Sequence, residues 1–218
     1  MTTDILPDRL ASPRYIALTF DDGPNPVTTP AILDVLAEYD IEAAFFVVGM
    51  NLETEENRRA MRRAYAEGHL IGNHTYSHPA LTKLSPGEIR EELRRTQDLI
   101  GDCAGGPRLF RPPFAILDAR VSRIIREEGF DLAMWNVDSL DWKFRSSRWV
   151  DVTMKHVLAT EVSLILMHDT HPTAEHLSAL IDRIRALPGH RFLTYRLPAQ
   201  AGPRDRGSDA SRESRDVR

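Results

Sequence analysis

From Tyr15 onward the chain alternates short apolar runs with longer stretches of helical period. The runs are YIALTF (15–20), AAFFVV (43–48), HLIGN (69–73), RLFR (108–111), DLAMWNV (131–137), VSLILM (162–167) and RFLTY (191–195). Each is short and apolar, often with β-branched or aromatic side chains, the pattern of strands buried on both faces. The intervening segments predict helices. PAILDVLAEY (30–39) has Thr29 as its cap and Pro30 at the first helical position. Residues 54–67 are capped by Thr54 and stopped by Gly68. Residues 86–100 start behind Ser85, which forms a capping box with Glu88, and end at Gly101. Residues 118–128, 148–160 and 173–187 follow, the first closed by Gly129 and the last by Pro188-Gly189.

Strand–helix alternation of this kind makes repeated βα units, and right-handed crossovers give a parallel sheet. Closed on itself the sheet is a TIM-like barrel; left open it is doubly wound. Periodicity alone fits either. No internal repeat is present. The tail from Ala201 carries almost no apolar residue and reads as disordered, and Met1–Pro13 reads as a loose arm. The expected layout is therefore an arm at 1–13, one folded domain at 14–198 and a polar tail at 199–218.

Composition narrows the function class. The 218 residues are 42% hydrophobic and 28% charged, with a formal net charge of −4. A nucleic-acid binder would carry a basic excess or stripe. The single cysteine, Cys103, excludes an intramolecular disulfide. The N-terminus lacks a basic stretch followed by an apolar one, and no run approaches 18 apolar residues, so no signal peptide or membrane-inserted helix is expected. The expectation is a soluble, cytoplasmic protein; no pattern in the sequence sets an oligomeric state.

Chemistry enters at the strand ends. Asp21 and Asp22 follow the first strand, and His74 and His78 follow the third. Arg111 closes the fourth, Asp138 and Asp141 follow the fifth, and His168 and Asp169 follow the sixth. In a parallel βα fold these ends share one face, where ligand sites lie in both the barrel and the open sheet. HTYSH (74–78) has two histidines four apart, which lie on one face if the segment turns helically, close enough to bind one metal ion. Alone it fits a capped turn and a solvated loop histidine, just as DDGP alone fits a tight surface turn. Together, two histidines and one carboxylate of the acid pair make a catalytic-type metal site with positions left for water or substrate. The other carboxylate would accept a proton from water. Direct glycoside cleavage is disfavoured, because glycosidase carboxylates face each other across a sugar. His168 suits a general acid with an orienting carboxylate, for which Asp141 is the first candidate and Asp138 and Asp169 are competitors. Arg111 beside the acid pair would hold the base ionised. Trp142 fits either core packing or, as an aromatic after an acid at a strand end, a sugar-stacking wall, whereas Trp135 and Trp149 read as structural. His156, His176 and His190 receive no role, and His171 is ambiguous.

In order, TFDDGP, HTYSH, RPPF, DSLDW and LMHD resemble the five motifs of the polysaccharide deacetylases with a NodB homology domain, carbohydrate esterase family 4. The resemblance spans roughly Arg14 to Leu197. It implies a distorted (β/α) TIM-like barrel of about seven parallel strands that removes N-acetyl groups from amino sugars with zinc or a similar divalent ion, cobalt or nickel included. It further implies Asp22, His74 and His78 as metal ligands, Asp21 as base and His168 as acid. Asp141 would tune His168, Arg111 would orient Asp21, and Trp142 and Leu166 would line the acetyl pocket. Phe114 stands where the family usually has Tyr; its backbone N–H would help bind the oxyanion. Members acting on cell-wall glycan or chitin are generally exported, which this N-terminus does not indicate. The expected substrate is an acetylated amino sugar in an oligo- or polysaccharide, peptidoglycan or chitin-like. The alternative is an O-acetyl ester or a non-sugar amide at the same site.

Overall fold

The computed structural model describes residues 13–195. The expected arm (apart from Pro13), the polar tail and the 198 boundary lie outside the described residues. The strands are β1 (Arg14–Asp21), β2 (Ala44–Val47), β3 (Leu70–Asn73), β4 (Leu109–Phe110), β5 (Asp131–Leu132), β6 (Val137–Asp138), β7 (Val162–His168) and β8 (His190–Phe192). The helices are α1 (Thr28–Glu38), α2 (Glu55–Ala66), α3 (Pro86–Ile100), α4 (Ala119–Glu127), α5 (Arg148–Ala159) and α6 (His171–Arg185). All strand pairs are parallel, in the order β5-β4-β3-β2-β1-β7-β6, with β8 added beside β1.

One expected strand is two. DLAMWNV breaks into β5 and β6, which form opposite ends of the seven-strand path. If the sheet were flat, six spacings of about 4.8 Å would hold those ends roughly 29 Å apart. The five peptide steps from Leu132 to Val137 reach at most about 18 Å. The sheet must therefore curl, and this choice between barrel and open sheet is invisible to periodicity. The crossing segment is pinned from inside: Arg111 Nε donates to the Ala133 carbonyl at 2.8 Å and the Tyr195 hydroxyl to the Met134 carbonyl at 2.6 Å.

Alternation along β1 sorts its side chains. Ile16, Leu18 and Phe20 join the core cluster that contains Ile32, Leu33 and Leu36 of α1 and Leu177, Leu180 and Ile181 of α6. Each such fully buried chain contributes about 1.5–3 kcal/mol. Thr19 and Asp21 fall on the other face, where both meet Arg111. Ala44, Phe46, Leu109 and Ala133 form a small separate cluster with Tyr195 packed against it. Gly72 is required beside it, because a Cβ there would lie 2.5 Å from the Phe46 ring.

Two local expectations change. Helix α1 begins at Thr28 rather than behind Thr29, and it is the Asn25 side chain that accepts the Val27 and Thr28 N–H groups, at 2.8 and 3.1 Å. Helix α6 begins two residues early, at His171. The Ser85–Glu88 capping box is present, with both bonds made. Among the described residues, no helix is long and apolar enough to cross a membrane.

Candidate active site

Register sets the site's two poles. Asp21, the last residue of β1, pairs with His168, the last of β7. In an extended strand Asp22 would point away from Asp21. Its φ of 70° breaks that alternation, and both carboxylates line one cleft of about 510 Å³.

Asp21 is 3% exposed, and its Oδ1 accepts from Arg111 Nη1 at 2.6 Å. Arg111 is fully buried; its Nη1 also donates to Thr19 Oγ1 at 2.8 Å, and its guanidinium lies 4.0 Å from the Phe46 ring centroid. This cation has a fixed position. Its backbone acts too. The Arg111 carbonyl sits 2.7 Å from His74 Nδ1, and because a carbonyl only accepts, Nδ1 carries the proton and Nε2 is left with its lone pair.

His74 Nε2 lies 3.5 Å and His78 Nε2 3.3 Å from Asp22 Oδ1. A tetrahedral ion with bonds of about 2.1 Å holds its donors roughly 3.4 Å apart. The three donor atoms, all within 4.8 Å of one another, thus fit one divalent metal ion. HTYSH reaches this arrangement without a helix: Thr75 and His78 have φ of 68° and 57°, and Thr75 Oγ1 accepts the His78 N–H at 3.0 Å. Burial raises the Asp22 carboxyl, but the surrounding rings when they are protonated, His74 first and then His168 and His78, outweigh it and leave it below the ordinary value. Burial and then the neighbouring His74 push His78 down. Both shifts favour the forms that bind a metal.

At the other pole, His168 Nδ1 lies 2.8 Å from Asp141 Oδ1. Asp141 is 1% exposed and also accepts from the His168 and Trp142 N–H groups and from the hydroxyls of Ser139 and Thr173, at 2.6–3.0 Å. Burial raises this carboxyl, and the His168 bond and charge bring it below its ordinary value. For His168, burial favours the neutral ring, but Asp141, with Asp21 and Asp22 behind it, lifts its pKa to about 9.

Leu166, Phe114 and Trp142 line the cleft, the last two 62% and 59% exposed. Phe114 has a φ of 60°, and its ring stands edge-on to His78, 4.7 Å between centroids. All ten residues singled out in the sequence thus converge on this cleft and its immediate supports. The sequence reading of Trp135 as structural is corrected: it is half-buried and lines the cleft beside Arg111. Trp149 is fully buried. Thr19, Ser139 and Thr173 were missed, because a hydroxyl supporting a carboxylate has no sequence signal of its own. Asp138 does not hold His168; its Oδ1 accepts the Leu140 N–H at 2.9 Å. Asp169 accepts the hydroxyls of Thr28 and Thr29 instead. His171 is exposed and lies 3.8 Å from Glu175.

The profile of the family described as polysaccharide deacetylase matches residues 9–133. The chain belongs to this family. The peptidoglycan-N-acetylglucosamine deacetylase PgdA of Listeria monocytogenes is 37% identical over 185 residues, 83% of this chain. The chain spans only 38% of that relative's length. The chitooligosaccharide deacetylase of Bradyrhizobium sp. is 35% identical over 190 residues, covering 85% of this chain and 84% of the relative. A solved T48 deacetylase with substrate superposes with a TM-score of 0.75 at 34% identity, covering 85% of this chain and 90% of that one. The curled parallel barrel is the fold of the family.

Proposed function

We propose that this chain hydrolyses the N-acetyl group of N-acetylglucosamine-type residues in a peptidoglycan- or chitin-like glycan, releasing acetate and a free amine. Support comes from relatives named for peptidoglycan and chitooligosaccharide. The observation that carries it is the pairing of Asp21 and His168, neighbours in register at the ends of β1 and β7 that line one cleft with the Asp22, His74 and His78 donors. Zinc is the ion we assign, with cobalt and nickel as substitutes acceptable to a His, His, Asp set.

Asp22, His74 and His78 would hold the ion, which would supply a Lewis acid for the amide carbonyl and for water. Arg111 binds Oδ1 of Asp21 and aims the carboxylate, so its other oxygen takes a proton from the attacking water as the new C–O bond forms. His168, kept protonated by Asp141, gives a proton to the amide nitrogen as the C–N bond breaks. Trp142 and Phe114 flank the sugar, Leu166 meets the acetyl methyl, and the Phe114 N–H faces the developing oxyanion.

The test is acetate release from N-acetylglucosamine oligomers, monomer to hexamer, and from peptidoglycan fragments, by the zinc-loaded chain and its Asp21→Asn variant. Release that depends on Asp21 is expected, with a preference for longer chains. Zinc bound at one per chain without release from any glycan would overturn the reading and turn attention to acetyl esters and other amides.

A further inference from the structure

Three acids follow the strands on the acid side of the cleft, and the reaction uses only Asp141. Asp138 serves its own turn. Asp169, 8% exposed, is a buried carboxylate with no part in proton transfer. Such a group is costly unless its lone pairs are matched, and the donors that match it identify what it holds.

Both hydroxyls on its carboxylate, Thr28 Oγ1 and Thr29 Oγ1, lie in the first turn of α1. Thr29 Oγ1 in turn accepts the Asn25 N–H at 2.8 Å. The Asp169 N–H donates to the Asp21 carbonyl at 2.8 Å. Between these ties the backbone of Gly23 runs directly over the carboxylate: a Cβ on Gly23 would lie 2.5 Å from Asp169 Oδ2. Asp169 therefore touches the chain before Asp22, just after it and, through Thr29, three residues on. From the far side, Asn51 Nδ2 bonds the Asp22 carbonyl at 2.7 Å and the Val48 N–H bonds the Gly23 carbonyl at 2.8 Å. Asp22 itself has a left-handed φ of 70°. A non-glycine residue persists there when its surroundings over-determine it.

We infer that Asp169 is a positioning residue for the metal site: it locks loop 22–25, which carries the carboxylate ligand Asp22, onto strand β7, which carries His168. One residue past the acid, it ties the base-and-ligand loop to the acid strand. The inference rests on the reading of Asp22, His74 and His78 as metal ligands.

The test is Zn²⁺ affinity, measured on the full chain without substrate by competition with a chelator, alongside steady-state kinetics at saturating Zn²⁺. Asp169→Asn keeps the shape and loses the paired acceptor. Residues that orient metal ligands typically change metal affinity or activity about 10–100-fold, and a weakening of Zn²⁺ binding in that range is expected. kcat should fall while KM holds, and the alkaline limb of the pH profile should stay in place, because the His168–Asp141 pair is untouched. Thr29→Val should weaken Zn²⁺ binding in the same direction, with Thr29→Ser recovering most of the loss. The double variant Asp169→Asn/Thr29→Val should be no weaker than Asp169→Asn alone, since both remove one linkage. Unchanged Zn²⁺ affinity in Asp169→Asn, additive effects in the double variant, or a displaced alkaline limb would each overturn the inference. Should Asp169→Asn not fold, the Thr29→Val and Thr29→Ser pair decides it in the same way. A wild-type chain that binds no Zn²⁺ would instead sink the metal-site reading, and this inference with it.

Discussion

Asp141→Asn separates the proposed acid from the rest of the machinery. The carboxylate accepts five donors, and a carboxamide would turn an NH₂ group toward some of them. Its loss removes the main force that lifts His168 to about 9, leaving burial, which favours the neutral ring, against the weaker pull of Asp21 and Asp22. With a pKa of about 9 the ring is protonated in roughly 99% of molecules at pH 7, against roughly a quarter at the ordinary 6.5. From protonation alone, kcat should fall about four-fold at pH 7 and roughly 80-fold at pH 8.5, a ratio that grows with pH. Misorientation of the ring adds a pH-independent loss of its own. The assay is kcat for acetate release from pH 5.5 to 10 in the zinc-loaded protein. An ion beside Asp22 offsets part of that carboxylate's pull, so the wild-type limb lies somewhat below 9, and the variant's should move down towards the ordinary value. An alkaline limb that stays in place in Asp141→Asn would refute the assignment of His168 as the acid. The pair also affects folding. Because the folded-state value lies above 6.5, its stabilisation of the metal-free protein is complete below pH 6.5 and is lost as pH rises through about 9.

Three further outcomes are expected. Arg111→Met leaves Asp21 buried without its cation, and breaking such a pair costs about 3–5 kcal/mol; chemical denaturation of the metal-free protein would measure it, and a loss under about 1 kcal/mol would contradict a tight Arg111–Asp21 pair. Gly23→Ala drives a Cβ into Asp169, so both Zn²⁺ affinity and thermal midpoint should drop; an unchanged midpoint would show that the loop yields freely. His69 is 4% exposed with Nδ1 accepting the Ala43 N–H, and burial holds its pKa down to about 4. The unfolded chain takes this proton near 6.5, so stability is lost as pH falls from 6.5 towards 4, by up to about 3 kcal/mol. In His69→Gln that acid-side loss should be smaller in denaturation curves at pH 4.5 and 7.

What was legible in the sequence follows the range of the forces involved. The strands and helices could be read because burial imposes a local period, and the polar strand ends could be read because a parallel sheet gathers its C-terminal ends on one face. The split of DLAMWNV could not. It depends on where β5 and β6 find partners, β4 at one end of the sheet and β7 at the other, and no window of seven residues contains that information. A helical turn is one way for HTYSH to bring its histidines to one face, and the chain uses another: Asn73, whose Oδ1 accepts the Thr75 N–H at 2.9 Å, and Thr75 hold a tight non-helical turn. Trp135 was misjudged because aromatic residues usually fill cores, whereas here the crossing segment at the barrel seam carries it into the cleft.

The proposed mechanism needs one cleft to hold a base and an acid at the same pH, and the two poles give a physical account of how it could. Asp21 and Asp141 are the same functional group at nearly the same depth, 3% and 1% exposed. Their partners differ. Arg111 cannot lose its proton, so it neutralises Asp21 without competing for the proton that Asp21 must take. His168 can, so Asp141 keeps that ring charged until the leaving nitrogen draws the proton away. Acid and base roles are therefore set by which cation each buried carboxylate meets, a permanent one or a titratable one. Exchanging partners would exchange roles. An Arg at position 168 would leave Asp21 able to accept a proton but nothing opposite able to give one, and water attack would stall at cleavage of the C–N bond. An acetyl ester, whose leaving group needs a proton less, should then be hydrolysed faster than the amide by His168→Arg. Equal losses on ester and amide would show that His168 acts before bond cleavage, not at it.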